Sequence, residues 1–309
     1  MSPSRDNLTI WSLLLALFYS PSTLRSVLRR VPSNLAKTAS FSTSSITRMQ
    51  IIPRRSADRG HADHDWLKSY HTFSFASYFD HAFTGFSSLR VINEDRVHPS
   101  TGFGTHSHRE YEIFSYIIDG ELQHKDSMGN VEILKRGDVQ FTSTGTGIAH
   151  SEYNINRTHP VHFLQIWAKP SESGLQPSYY TETFSDEAKK AGLVRLIAPS
   201  GKTGKGEIPI VQDFYMYASI LGPDAVRTHV LQGEEGKERK AYVHVTMRSG
   251  YVTPKEGNVD GGAMVRVNGD VVLKEGDGAF IVGKAGEKIE LATLGAAGKD
   301  AEIVLFDLA

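Results

Sequence analysis

The stretch GFGTHSHREYEIFSYIIDGELQHKDSMGN, residues 102–130, combines metal-binding residue types with strand-forming ones. His106 and His108 lie two positions apart, Glu110 and Glu112 follow, and a run rich in Ile, Phe and Tyr comes next. On a β-strand, residues two positions apart point to the same face. Both imidazoles can then reach one ion, so this stretch predicts a strand that carries a metal-binding pair.

A second pair of potential ligands follows in GIAHSEYN, where His150 and Glu152 are again two positions apart. If the two pairs lie on neighbouring strands, three nitrogens and one carboxylate converge inside a barrel. An octahedral ion held by four ligands keeps two positions for a bidentate substrate, or for a substrate and dioxygen. Such ligands favour iron(II), while manganese, nickel, cobalt, copper and zinc are also feasible. The spacing leaves the carboxylate ligand open, because Glu112 shares a face with His108 if that strand runs straight.

Composition excludes several classes of function. The chain has 309 residues, of which 39% are hydrophobic and 22% charged, as is typical of a soluble globular protein. A formal net charge of −1 predicts no direct binding to nucleic acid or to an anionic membrane. The sequence has no cysteine, so disulfides, thiolate metal sites and cysteine nucleophiles are excluded.

The distribution of strand-forming residues predicts an all-β fold. Short segments rich in Val, Ile, Phe and Tyr alternate with Gly, Asn and Asp from residue 51 onward, and KDSMGN (125–130) predicts a hairpin turn. The alternation stops over 169–190, which ends in a short helix with Ser185 as its N-cap. We therefore predict two tandem domains, each a β-barrel or β-sandwich. The predicted segments are an N-terminal domain (51–168), a connector (169–190) and a C-terminal domain (191–309).

The two predicted domains share a short repeated phrase. LKRGDVQF (134–141) and LKEGDGAF (273–280) both follow a hairpin and both continue into apolar residues. The second half lacks a His-x-His pair and has only the scattered His229 and His244. The repeat therefore predicts related domains, with the metal site in the first one alone.

The first 50 residues differ in composition from the rest. Their apolar segment, 8–20, is shorter than the roughly 20 residues that span a bilayer. Basic and Ser-rich sequence without acidic residues between Asp6 and Asp58 predicts a mitochondrial transit peptide. The alternatives are a disordered leader, with translation starting at Met49 and the protein in the cytoplasm or nucleus, and a secretory signal peptide.

Two motifs carry a resemblance to a known superfamily. GTHSHREYE, followed by Gly120, resembles the first cupin motif, although seven residues separate Glu112 from the glycine where the usual pattern has six. GDVQFTSTGTGIAHSEYN (137–154) resembles the second cupin motif without its proline and with a longer loop. Together with RGHADHDWLKSYHTFSFASYFD (59–80) and VHFLQIWAKP (161–170), these motifs resemble the pirin family, in particular its bacterial-type members associated with quercetinase activity.

The resemblance implies a ligand set and a cofactor. Pirins are bicupins with one metal in the N-terminal domain, and the matching positions here are His106, His108, His150 and Glu152. The family pattern therefore favours Glu152 over Glu112, and iron is the usual proposal. The family's C-terminal domain holds no metal.

Two functions follow from the resemblance. The first is that of a quercetin 2,3-dioxygenase, which opens the central ring of a flavonol with O2 and releases carbon monoxide, with Glu152 as general base. Phe114, Phe141 and Trp167 would then either line a pocket for a flat aromatic molecule or belong to the ordinary core. The second is that of an iron-dependent, redox-sensitive transcriptional coregulator acting through protein partners.

Overall fold

A computed structural model describes residues 48–256, 261–294 and 299–309. The predicted leader therefore lies almost entirely outside the described residues. The first half consists of short strands: β1 (Gln50–Arg54), β2 (Gly60–Asp63), β3 (Leu67–His71), β4 (Leu89–Val97), β5 (Gly102–His108), β6 (Glu112–Asp119), β7 (Glu121–Asp126), β8 (Val131–Lys135), β9 (Asp138–Ser143), β10 (Ile148–Tyr153), β11 (Val161–Ala168) and β12 (Ser178–Thr183).

The second half has the same character. A short helix, α1 (Asp186–Ala191), precedes it, and a 3-10 turn (Ser56–Asp58) lies in the first half. Its strands are β13 (Val194–Pro199), β14 (Ile208–Ile210), β15 (Phe214–Leu221), β16 (Val226–Val230), β17 (Glu238–Val245), β18 (Met264–Val267), β19 (Val271–Lys274), β20 (Gly278–Lys284), β21 (Lys288–Thr293) and β22 (Ala301–Leu308).

The strands form four sheets, a large and a small one in each half. The N-terminal sheets have the orders β12-β9-β6-β11-β4-β3-β2 and β5-β10-β7-β8, and the C-terminal sheets have the orders β1-β20-β17-β22-β15-β13-β14 and β16-β21-β18-β19. The corresponding strands occur in the same order in both halves. The predicted all-β bicupin is thus confirmed, and each half is an open jelly-roll sandwich of two sheets instead of a closed barrel.

The repeated Lys-x-Gly-Asp phrase forms the same turn in both halves. Gly137 and Gly276 have φ values of 88° and 82°, which glycine adopts without steric cost. The carboxylate of Asp138 accepts a hydrogen bond from the amide of Lys135, and Asp277 does the same for Lys274. The phrase therefore specifies a tight turn between β8 and β9 and between β19 and β20.

Two segments cross the predicted domain boundaries. β1 pairs antiparallel with β20 and so joins the C-terminal sheet, although four of its five residues fall in the range predicted for the N-terminal domain. In the predicted connector, β12 pairs with β9 of the N-terminal sheet. The predicted short helix is confirmed as α1, and the side chain of Ser185 accepts the hydrogen bond of its N-cap from the amide of Ala188.

The buried apolar side chains form three clusters, one inside each sandwich and one between the two sandwiches. One fills the N-terminal sandwich and includes Ile117 and Phe163, and a second fills the C-terminal sandwich. The largest lies between the two large sheets, where Phe114 packs edge-on against Phe214 at 5.8 Å between ring centroids. Both halves thus bury one face of their large sheet against the other half. No helix among the described residues is long and apolar enough to cross a membrane.

Candidate metal centre

Three histidines converge at one end of the N-terminal sandwich. His106 and His108 share a face of β5, and His150 lies directly opposite His106 on β10. A register shift between His150 and Glu152 marks a bulge in this pairing, a feature that re-aims side chains near functional sites. One nitrogen from each of the three rings lies within 4.8 Å of the other two. The two-residue spacing and the pairing of β5 with β10 together bring the predicted nitrogen ligands to one point.

The protonation of these rings suits a divalent cation. Nδ1 of His106 donates to the carbonyl of Gly104 at 2.7 Å, which leaves its Nε2 with a free lone pair. That Nε2 lies 3.1 Å from Nε2 of His150, a distance that two imidazoles reach only by sharing a proton or a cation. Burial lowers the pKa of His106, of His150 and of His108, the last to about 3. The rings are therefore neutral at pH 7, as metal ligands must be.

Glu152 lies on the same face of β10 as His150 but is not part of the three-nitrogen group. Its Oε1 accepts a hydrogen bond from Ser115 at 3.3 Å, and its Oε2 accepts one from Gln165 at 3.0 Å. Burial raises the pKa of this carboxyl to about 7, although both hydrogen bonds act in the opposite direction. The structure thus brings together three of the four predicted ligands, and ligation by Glu152 stays a prediction.

The position of Glu112 explains why it does not compete for the metal. β5 ends at His108, the chain turns through Glu110 with φ of 61°, and Glu112 begins β6 in the other sheet. On β6, Ser115 faces Glu152 inside the sandwich, so Glu112, three residues earlier, faces the opposite side. There its Oε1 accepts from the amide of Val211 at 3.0 Å. Glu112 would share a face with His108 only if one straight strand carried both residues, and the chain instead turns between them.

Of the three aromatic residues considered for a substrate pocket, only Trp167 lies at the metal centre. Phe114 and Phe141 are fully buried in the cluster between the two large sheets and do not line the metal centre. Trp167 is half-buried, and its ring centroid lies 4.8 Å from that of His108. Ordinary core is therefore the correct interpretation for two of the three.

Most of the other described histidines form contacts outside the three-histidine group. His71 bonds Asn93 and His162 bonds Glu94, while the fully buried His124 lies with its ring centroid 5.3 Å from that of His150. His124 is therefore placed to support a ligand, whereas Gln123 lies on the opposite face of β7.

The scattered histidines of the second half contact carboxylates. His229 lies 2.6 Å from Asp307, and His244 lies 2.9 Å from Glu94. Among residues 48–256, 261–294 and 299–309, the three histidines of β5 and β10 form the one group of three or more such donors.

Sequence reasoning missed the residues that surround the centre. Ser115 and Gln165 hold Glu152, and Phe75 and Tyr111 contact Trp167. The two-residue spacing of Gln165 and Trp167 in LQIW was a usable signal, since it places both on one face of β11. Phe75 and Tyr111 lie in loops and had no such signal.

Known proteins resemble this chain over most of its length. The profile of the pirin family matches residues 53–168. The quercetin 2,3-dioxygenase of Escherichia coli K12 is 38% identical over 258 residues, which cover 84% of this chain and 98% of that protein. The chain belongs to the pirin family. A pirin-like protein of Caulobacter vibrioides is 36% identical over 260 residues, covering 84% of this chain and all of that protein.

The pirin fold is also shared with a solved metal complex. The crystal structure of the bacterial pirin YhhW from Escherichia coli in complex with nickel(II) superposes with a TM-score of 0.69 at 36% identity, covering 84% of this chain and 99% of that one. The neutral histidine cluster of the present pirin suits a divalent metal, consistent with that complex.

Proposed function

We propose that this pirin is an iron(II)-dependent dioxygenase that cleaves flavonols with O2, in the manner of a quercetin 2,3-dioxygenase. The observation that carries the proposal is the convergence of three neutral imidazoles from β5 and β10, two of which are half-exposed. Relatives that match nearly their whole length to this chain are named quercetin 2,3-dioxygenase. The three histidines would hold the metal, and we propose Glu152 as the fourth ligand.

In this proposal, the residues around the metal centre have separate roles. A bound divalent ion would supply a Lewis acid that favours the ionised form of a substrate hydroxyl. Glu152, on the same face as His150, would accept the proton of that hydroxyl and hold it inside the sandwich. Ser115 and Gln165 would keep the carboxylate in place during the transfer. The neighbouring Trp167 and Ile113 would limit the entry of water.

The test uses the full chain reconstituted anaerobically with iron(II). Quercetin is added in air, and flavonol absorbance, oxygen uptake and carbon monoxide are followed together with the metal content. His106→Ala is the test variant, and His159→Ala, which removes an exposed histidine of the same domain, is the matched control. We expect coupled consumption of flavonol and oxygen and release of carbon monoxide in wild type and in the control, and none in the metal-poor His106→Ala variant.

A different result would change the assignment. If wild type holds iron tightly and consumes neither quercetin nor oxygen, the dioxygenase proposal fails under these conditions. The metal centre would stand, and the redox-sensitive coregulator acting through protein partners would become the leading hypothesis.

A further inference from the structure

Trp167 is the centre of a cluster of rings beside the metal centre. Its ring lies edge-on to His108 at 4.8 Å between centroids and edge-on to Phe75 at 5.6 Å. Tyr111 lies 5.3 Å away at an angle of 48°. Trp167 thus connects a metal-binding imidazole with two further aromatic side chains, and we call Phe75, Tyr111 and Trp167 the aromatic wall.

The aromatic wall differs from the other aromatic clusters in its exposure. Phe75, Tyr111 and Trp167 are all half-buried, as are His106 and His108, whereas Phe114 and Phe141 are fully buried. Rings that serve only as core are normally closed off from solvent. The wall therefore lies directly beside the partly exposed His108 and is itself partly open to solvent.

The indole nitrogen of Trp167 is a second unusual feature. Nε1 is shielded from solvent and has no hydrogen-bond partner among the described residues, although Trp N–H groups usually find one when buried. Burying a donor without a partner is unfavourable.

The elements that carry the wall hold it in place. Trp167 lies on β11 two residues after Gln165 and therefore on the same inner face as the contact with Glu152. Phe75 lies in a tight turn, in which its backbone amide and carbonyl both form hydrogen bonds with the backbone of Tyr78. The backbone amide of Tyr111 donates a hydrogen bond to the hydroxyl of Thr144, and its carbonyl accepts hydrogen bonds from the amide and hydroxyl of Thr144. Three separate segments thus present their rings to one place.

We propose that the aromatic wall binds the flat ring system of an aromatic substrate and that Trp167 sets the preference for aromatic over aliphatic hydroxy compounds. The proposal rests on the proposed function, because it assigns the ligand class of the same site. The ring system lies against the indole while its oxygen substituents reach the histidine cluster. An aromatic ring gains both apolar contact and favourable ring–ring geometry there, which an aliphatic chain does not.

The test measures binding without turnover. The full chain loaded with nickel(II) is titrated with quercetin under argon, and Kd is obtained from the absorbance of the flavonol, with metal content measured on each sample. The variants are Trp167→Leu, Phe75→Leu and Tyr111→Leu. Tyr153→Leu is the matched control, because Tyr153 is an exposed aromatic on the outer face of the small sheet.

We expect Trp167→Leu to raise Kd about tenfold and the other two wall variants to raise it about threefold, with full metal content and an unchanged control. Trp167→Phe keeps an aromatic ring of smaller area, so its Kd should lie between those of wild type and Trp167→Leu. The proposal is overturned if all wall variants bind quercetin within about twofold of wild type.

Two further outcomes are interpretable. If Trp167→Leu loses metal because the indole supports His108, then Phe75→Leu and Tyr111→Leu decide, since neither ring contacts a histidine of the cluster. Failure of this proposal is also separable from failure of the dioxygenase. If the wall variants bind quercetin more weakly but the wild-type protein takes up no oxygen, only the dioxygenase proposal fails. If all wall variants turn over quercetin with the wild-type KM, only the proposal for the aromatic wall fails.

Discussion

The Nε2 atom of Gln165 donates a hydrogen bond of 3.0 Å to the Oε2 atom of Glu152. Ser115 donates to the other carboxylate oxygen at 3.3 Å. Both donors belong to the large sheet of the N-terminal sandwich, whereas Glu152 belongs to the small one. The orientation of this carboxylate is therefore set by residues across the sandwich and not by its own strand.

Replacing Gln165 should weaken metal binding without removing a ligand. Gln165→Leu leaves one oxygen of a buried carboxylate without its donor, and loss of such a supporting partner typically lowers metal affinity by roughly 10–100-fold. Competition with a chelator measures the change. Gln140→Leu is the control, because Gln140 is equally buried in the same sheet but donates to Thr142. Equal affinity in wild type and Gln165→Leu would argue against a role of Glu152 at the metal.

Metal binding should stabilise the fold through the three histidines. A ligand at a hundred times its Kd contributes about 2.7 kcal/mol to the free energy of unfolding, so adding nickel(II) or iron(II) should raise Tm by several degrees. Calorimetry with and without metal measures the shift. We expect the shift to disappear in His150→Ala and to persist in His159→Ala, which alters an exposed histidine paired with Asp119. A full shift in His150→Ala would contradict the assignment of that ligand.

Glu112 should make stability depend on pH near neutrality. Burial raises the pKa of this carboxyl to about 7 from an unfolded value of 4.5, although its bond to the amide of Val211 opposes the rise. The folded state therefore prefers the protonated acid, and stability falls as pH rises from about 4.5 through about 7. Glu112→Gln removes this loss, so at pH 8 the free energy of unfolding of the variant should exceed that of wild type by up to about 3 kcal/mol.

Denaturant unfolding at pH 5 and at pH 8 checks this prediction. At pH 5 most of the wild-type carboxyl is already protonated in the folded state, so the two proteins should differ little. A difference that does not change between the two pH values would show that Glu112 ionises in the folded protein as readily as in water.

Glu94 should be sensitive to substitution because it forms a buried ion pair and links the two halves. Its fully buried carboxylate contacts Arg59 at 3.3 Å and accepts bonds of 2.9 Å from both His162 and His244. Burial by itself would raise the pKa of Glu94, but these two histidines hold it well below its ordinary value. Glu94→Gln leaves the buried guanidinium of Arg59 without its countercharge, which should cost about 3–5 kcal/mol.

Urea unfolding measures the loss. The control is Asp119→Asn, whose partner His159 is exposed, and the expected cost of breaking an exposed pair is below about 1 kcal/mol. If Glu94→Gln were no more destabilising than this control, the ion pair and hydrogen bonds of Glu94 would contribute little to holding the two halves together.

Much of the fold and of the site could be predicted from local patterns. The pairs His106/His108 and His150/Glu152 share a face because side chains alternate along any strand. The Lys-x-Gly-Asp turns depend on a glycine with positive φ and an aspartate that caps the preceding amide, both within four residues. The N-cap at Ser185 is equally local. Such features form wherever the same few residues occur, so the sequence was sufficient for them.

Contacts between distant segments needed the folded chain. The face to which Glu112 points depends on where β5 ends, and Trp167 rather than Phe114 reaches the metal centre because of how β6 and β11 pack against the other half. β1 joins the C-terminal sheet across more than two hundred residues of sequence. Alternation along a strand says which residues share a face, but only the packing of the sheets determines whether that face meets a metal, a core or the neighbouring domain.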